Sequence, residues 1–172
     1  MTDLAPHAGL RFRAATANDL SRLVTVVNAA FALETFLEGT RTDAPRLAEM
    51  LAAGRILLAE EAGCLLGALY MEFRGQRGYL GMLAVDPGSQ CRGLARQLVA
   101  QAEVEFRRAG CREVEISVLS LRPELPPIYR RYGYVESHTE ELHLTQPLRP
   151  GLSGHSIVML KQLSASKPAP GA

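Results

Sequence analysis

Apolar positions along this chain follow two rhythms, one of period two and one of helical period. Residues 10–14 alternate apolar and charged side chains, which predicts a first strand with one wet face. Thr16 then stands as a helix N-cap with Asp19 three positions on, and Leu20, Leu23, Val24, Val27 and Phe31 recur at helical spacing. A second helix is predicted from Thr42, with Leu47, Met50 and Leu51 on its apolar face and Gly54 at its end. Residues 33–41, between the two helices, carry no regular period.

Three β-rich runs follow, at 55–61, 64–73 and 79–85, separated by Ala62-Gly63 and by the polar stretch 74–78. Such short turns predict an antiparallel meander. From 93 to 109 the set Leu94, Ala95, Leu98, Val99, Ala102 and Phe106 marks one helix face, and Arg107 and Arg108 complement the dipole before Gly110. Residues 114–119 form the next predicted strand. A strand-helix-strand unit of this length implies a right-handed crossover, so this fifth strand should lie parallel to the fourth, 79–85. Pro127 biases Pro126 away from helical geometry, which predicts a short helix over 127–133. Two last strands are predicted at 134–145 and 156–163. The expected fold is α/β: a mixed, mostly antiparallel sheet of about seven strands with flanking helices and a parallel fourth and fifth strand. One domain over residues 1–163 is expected, and 164–172, with Pro168, Pro170 and no apolar period, read as a disordered tail.

Composition adds exclusions more than assignments. At 172 residues the chain can bury one sizeable core, and no shift in composition divides it. A formal net charge of +1 offers no electrostatic argument for nucleic acid or an anionic membrane, so neither is expected as a partner. The three cysteines, Cys64, Cys91 and Cys111, show neither paired nor C-x-x-C spacing, which predicts no disulfide framework and no zinc site and fits a reducing cytoplasm. No leader-like or bilayer-length apolar stretch is present, so export and membrane insertion are not expected.

The most informative chemistry lies between Leu83 and Arg96. An apolar strand ends at Val85, a turn with Pro87 and Gly88 follows, and a helix starts near Gly93 with the small Ala95 behind it. A strand, a glycine-containing turn and a helix N-terminus together aim unpaired N–H groups and the positive end of a helix dipole at one spot, an arrangement suited to phosphate. The pattern Gln90-x-x-Gly93-x-Ala95, preceded by Val85-Asp86-Pro87, resembles the coenzyme A pyrophosphate loop of the GNAT superfamily of acetyl-CoA-dependent N-acetyltransferases. The segment from Ile128 to Tyr134 is similar to that family's Y-x-x-x-G-F/Y motif. Both motifs stand in the right order on the right predicted elements, and the whole order from 10 to 163 resembles the family fold.

The resemblance implies an N-acetyltransferase with acetyl-CoA as co-substrate and no metal, acting on a small-molecule amine or a peptide. A homodimer is admitted as an assembly. It also implies roles by position. Leu83, Ala84 and Val85 should offer backbone groups to the pantetheine arm and the thioester carbonyl. Cys91, Arg92, Gly93, Leu94, Ala95 and Arg96 should surround the pyrophosphate, with Gln90 shaping the turn and Arg92 or Arg96 reaching outer phosphate oxygens. Tyr129 should act as general acid toward the leaving thiolate, a role its phenol suits because it is protonated at neutral pH. Several members of the family place a glutamate on the fourth or fifth strand, whereas residues 79–85 contain no carboxylate. Glu72 and Glu115 are therefore base candidates, behind ordered water. The asparagine common before the tyrosine is replaced here by Arg122 and prolines. The missing strand carboxylate leaves a rival open, a coenzyme-A-binding sensor or interaction module without transfer.

Other residues read as ordinary surface. Glu34 and Glu38 sit one helical turn apart and are expected on a solvated face, although they could attract a cationic acceptor. His138 and His143 fall on a polar strand and form no metal spacing with His7 or His155. Cys91 is expected to contribute its backbone N–H to the loop and not its thiol. Residues 33–41 and 146–154 are expected to border the acceptor site.

Overall fold

A computed structural model describes residues 9–163; the predicted tail, 164–172, lies outside the described residues. Seven strands form one sheet: β1 (Arg11–Ala14), β2 (Arg55–Glu61), β3 (Cys64–Arg74), β4 (Arg77–Val85), β5 (Glu113–Leu119), β6 (Val135–Glu141) and β7 (His155–Gln162), in the order β1-β2-β3-β4-β5-β7-β6. Every pairing is antiparallel except β4 with β5, as the crossover predicts. The helices are α1 (Leu20–Ala30), α2 (Ala44–Ala53), α3 (Leu94–Arg108) and α4 (Leu125–Arg131).

The apolar runs of β2 and β3 are continuous because both faces of the sheet are covered. Ile56, Leu58, Ala68 and Tyr70 point to one face, where Leu23 and Val26 of α1 and Leu47 of α2 close a core. Leu57, Ala59, Leu69 and Met71 point to the other, against Leu98, Val99, Ala102 and Phe106 of α3. Gly78 allows the closest approach there: a Cβ would meet the Phe106 ring at 2.5 Å.

Several expected boundaries shift, each for a local reason. Residues 17–19 form a separate 3-10 turn before α1, held by the Thr16 N–H donating to the Asp19 carboxylate at 2.8 Å. Asp43 and not Thr42 caps α2, accepting from the Arg46 N–H at 2.9 Å. α4 starts at Leu125, two residues before the predicted Pro127, because Pro126 and Pro127 both fall in the first turn, where an N–H would have no intrahelical acceptor. β6 stops at Glu141 and not at Thr145, since its partner β7 begins at His155, opposite Glu141, and a loop with Pro147, Pro150 and Gly151 carries the chain away.

Candidate active site

The site begins with a split in the sheet. β4 and β5 pair only from Arg77 to Leu80 and from Glu113 to Ile116; beyond that β4 continues to Val85 and β5 to Leu119 without each other. A bulge drives the split. Met82 and Leu83 of β4 together stand opposite Leu69 of β3, and Met82 takes a left-handed φ of 47° that a methionine seldom adopts. The edge of β4 that would face β5 therefore loses its ladder partner after Leu80, leaving backbone polar groups available to something else.

A cavity of about 600 Å³ fills this split. One end is built from contiguous backbone. Pro87–Ser89 forms a 3-10 turn, and the Gln90 side-chain amide donates to the Val85 carbonyl at 3.3 Å, tying the turn to the end of β4. Cys91 (φ 61°) and Gly93 (φ 75°) are left-handed, and Gly93 is the N-cap of α3. Left-handed residues ahead of a helix gather successive N–H groups on one concave side, where the first-turn donors of α3 already point. Leu83, Val85, Gln90, Cys91, Gly93, Leu94 and Ala95 line the cavity. Ala84 is fully buried with its side chain away from the cavity. Arg92 and Arg96 do not reach the wall: Arg92 pairs with Glu61 at 2.9 Å and Arg96 is exposed.

Tyr129 projects from α4 onto the cavity wall, its ring edge-on to Tyr132 at 6.0 Å and to Tyr134 at 5.9 Å. Burial pushes its phenol well above the ordinary value, with Tyr132 adding to the shift and Arg122 opposing it. Its hydroxyl makes no hydrogen bond among the described residues. The two base candidates are not on the wall. Glu72 accepts from the Tyr70 hydroxyl at 2.8 Å and from Arg74 at 2.7 Å, and Glu115 pairs with Arg77 at 2.9 Å and Arg74 at 3.4 Å. Ser117, two residues beyond Glu115 and past the point where the strands part, does line the cavity.

The other end holds charged side chains whose burial and meeting on the wall the sequence did not show. Glu34, expected on a solvated helix face, is 7% exposed and lies in an irregular turn on the wall, while Glu38 is exposed as expected. Arg122 donates to Glu34 at 2.7 Å, and Arg41 stands 3.6 Å from the same carboxylate. Residues 33–41 thus contribute Leu33, Glu34 and Arg41 to the cavity. Residues 146–154 instead support that segment from behind. Leu37 bridges Leu148, the Glu38 N–H donates to the Pro147 carbonyl at 3.0 Å, and the Gln146 amide donates to the Arg41 carbonyl at 3.0 Å.

Among the described residues no group of His, Cys, Asp and Glu could hold a metal ion, and no helix is long and apolar enough to cross a membrane. His7 lies outside the described residues.

The family model described as an acetyltransferase (GNAT) domain matches residues 19–143. Similar solved structures include the ribosomal-protein-alanine N-acetyltransferase of Brucella melitensis, at 21% identity and a TM-score of 0.71 over 89% of this chain and 99% of that one. Another is yncA of Salmonella typhimurium, solved with its cofactor acetyl-CoA, at 21% identity and a TM-score of 0.71 over 95% and 99% of the two chains. The ribosomal-protein-S18-alanine N-acetyltransferase of Escherichia coli matches at 16% identity and a TM-score of 0.71, again over 95% and 99%. At these identities the likeness is one of fold.

Proposed function

This chain belongs to the acetyltransferase (GNAT) domain family, and we propose that it is an N-acetyltransferase that moves the acetyl group of acetyl-CoA to a primary amine. The observation that carries this reading is the split between β4 and β5, which opens a cavity bounded by an unpaired strand edge and the start of α3. The donor set fits the coenzyme: first-turn N–H groups of α3 behind the left-handed Cys91 and Gly93 suit a pyrophosphate, and the free edge of β4 suits an amide-bearing arm. The acetyl-CoA named with the Salmonella protein supports the same ligand class.

When bound, the coenzyme supplies an activated acetyl thioester. The residues of this chain hold and orient it. Leu83, Ala84 and Val85 present backbone groups to the arm and the carbonyl, and N–H groups from Cys91 to Ala95 take the phosphates. Gln90 fixes the turn, and Arg92 or Arg96, both outside the wall, would touch no more than outer phosphate oxygens. Negative charge developing on the carbonyl oxygen meets backbone donors of β4, a type of contact whose loss lowers kcat by about 10²–10³.

The acceptor must shed a proton, because a primary ammonium has a pKa of about 10.4. With Glu72 and Glu115 turned to arginines away from the cavity, water carries that proton out. The neutral amine attacks the carbonyl directly, the carbon–sulfur bond breaks, the nitrogen sheds its second proton to water as it becomes an amide, and Tyr129 gives its proton to the departing thiolate before recovering one from solvent. Burial keeps the Tyr129 phenol protonated over the whole neutral range, so a proton is in place for the thiolate, although the same burial makes the phenol a weaker acid.

Release of free coenzyme A from acetyl-CoA, assayed over a panel of amines, amino acids and peptides, tests the activity; calorimetry showing no affinity for coenzyme A removes the reading. Tyr129→Phe should lower kcat by about 10²–10⁴ with coenzyme A affinity retained. Unchanged turnover in a folded variant would make the proton-donor role wrong. A coenzyme-A-binding module without transfer is favoured by one observation, that no carboxylate of β4 or β5 faces the cavity. It predicts tight binding with no thiol release across the panel.

A further inference from the structure

The end of the cavity away from α3 is built from Glu34 and Arg41, in the connection between α1 and α2, and Arg122, in the turn before α4. The Glu34 side chain is 4% exposed. Its Oε1 accepts from Arg122 at 2.7 Å, while its Oε2 takes no hydrogen bond among the described residues and stands 3.6 Å from Arg41. Arg122 has a further partner in Glu124, at 2.5 Å. Arg41 is not matched in this way. Its guanidinium lies over the Phe31 ring at 4.8 Å and its side chain is only 25% exposed. None of its side-chain N–H groups donates a hydrogen bond among the described residues. The Glu34 Oε2 is therefore a fully buried polar atom with no hydrogen-bond partner among the described residues, which is unfavourable unless something else supplies one, while the Arg41 fork lies on the cavity wall with donors free to take a ligand.

We propose that Arg41 is the anchor for the acceptor, and that the acceptor is an amine carrying a carboxylate. The inference rests on the acetyltransferase reading for the amine and on Arg41 for the carboxylate. A guanidinium presents a planar fork of donors that matches a carboxylate with two parallel hydrogen bonds. The ring of Phe31 fixes the plane of that fork. Beside it, the open oxygen of Glu34 places negative charge next to positive, the mirror of an acceptor that carries ammonium next to carboxylate. The coenzyme does not call for Arg41, because its phosphates have their own donors at α3. The charged and phenolic groups that bear on Arg41 are Glu34, Arg46, Tyr79 and Arg122, none of them from the phosphate loop. Burial draws Arg41 below its ordinary value, with the charge of Glu34 opposing that shift.

An acceptor carboxylate can come from a free α-amino acid or from an acidic first residue of a peptide, and matched pairs separate the two. Release of coenzyme A is measured for an α-amino acid against its decarboxylated amine, and for an Asp-initiated against an Asn-initiated peptide amide. In at least one pair, the carboxylate member should be favoured in kcat/KM by about tenfold to a hundredfold. The pair that shows it names the source. Arg41→Gln should abolish that preference and leave the KM for acetyl-CoA unchanged, and Arg41→Lys, which keeps the charge without the fork, should fall between. Equal use of both members by the unmodified protein, or a preference that survives Arg41→Gln, overturns the proposal. A second measurement is independent of turnover: calorimetry with an N-acetylated amino acid against its carboxamide, with and without coenzyme A. Tighter binding of the carboxylate that is lost in Arg41→Gln upholds the anchor even if no amine is acetylated, and equal binding refutes it. Absence of coenzyme A binding or thiol release counts against the acetyltransferase reading instead.

Discussion

Glu34 and Glu103 are buried to nearly the same degree, at 7% and 4% exposure, yet their surroundings differ in kind. Glu103, on α3, accepts from Lys161 of β7 at 2.8 Å on each oxygen, from the Tyr134 hydroxyl at 3.1 Å and from Arg107 at 3.4 Å. Every oxygen is used, and the donors tie α3 to β7 and to the segment that follows α4. Among the described residues, Glu34 has one hydrogen bond on one oxygen and none on the other, beside a guanidinium that donates none. A closed shell around a buried charge locks elements together; an open one on a cavity wall leaves valence for a ligand. The difference between structure and function at these two sites is the difference in saturation.

The largest effect should come from opening the closed shell. Glu103→Ala leaves Lys161 and the Tyr134 hydroxyl without their acceptor, and removing one partner of a buried pair costs about 3–5 kcal/mol. For a chain of this size that corresponds to a fall in melting temperature of roughly 6–20 °C. Lys161 is 24% exposed, so water relieves part of the loss and the lower half of that range is expected. Affinity for coenzyme A should be nearly unchanged. A melting temperature within a degree or two of the unmodified protein would break the comparison at its structural side.

Opening the other shell further should act on turnover before stability. Glu34→Gln keeps an acceptor for Arg122 but removes the charge facing Arg41, with a stability loss of about 1–2 kcal/mol. The acceptor KM should rise about tenfold as Arg41 loses its alignment, while the KM for acetyl-CoA stays put. Thermal denaturation and steady-state kinetics on the same preparation decide this. If Glu34→Gln proves as destabilising as Glu103→Ala and leaves the acceptor KM alone, Glu34 belongs with the closed shells.

The two ends of the cavity were also unequally legible in the chain. Residues 83–96 are contiguous, so a strand end, a glycine and a helix start marked the stretch, and the resemblance to a family named its ligand. Glu34 and Arg122 are 88 positions apart and meet only through the tertiary fold. Locally, Glu34 and Glu38 show the one-turn spacing of a wet helix face, and nothing in residues 33–41 reveals that residues 146–154 hold this segment through Phe36, Leu37, Glu38 and Arg41. Met82 is another such case: methionine has no preference for a left-handed φ, so the bulge that splits β4 from β5 leaves no trace in composition. The β2-β3-β4 meander and the parallel β4–β5 pair were readable because turn lengths and the crossover rule constrain them, whereas the insertion of β7 between β5 and β6 has no such local signal. The start of α4 was not readable either, since a proline pair carries opposite signals at a first turn and elsewhere.

A third buried carboxylate tests whether saturation, and not burial, is the variable. Asp19 is 5% exposed and accepts from Arg13 at 2.7 and 2.8 Å and from the Thr16 N–H at 2.8 Å, a closed shell far from the cavity wall. Hydrogen bonds from Arg13 hold its carboxyl well below the ordinary 3.8, against the opposing effect of burial. The folded chain therefore keeps the carboxylate where the unfolded chain would take up a proton. The pair's stabilisation is complete above the unfolded value and fades as pH falls through the folded one. Asp19→Asn should cost about 1 kcal/mol at neutral pH, a modest figure because Arg13 is 40% exposed and water screens the pair. The gap in melting temperature between the two proteins should narrow steadily below about pH 4. The acceptor KM should not move. A gap that is flat with pH would mean that the Asp19→Asn variant loses a cap and not a charge, and a shifted KM would mean that a closed shell can reach the site after all.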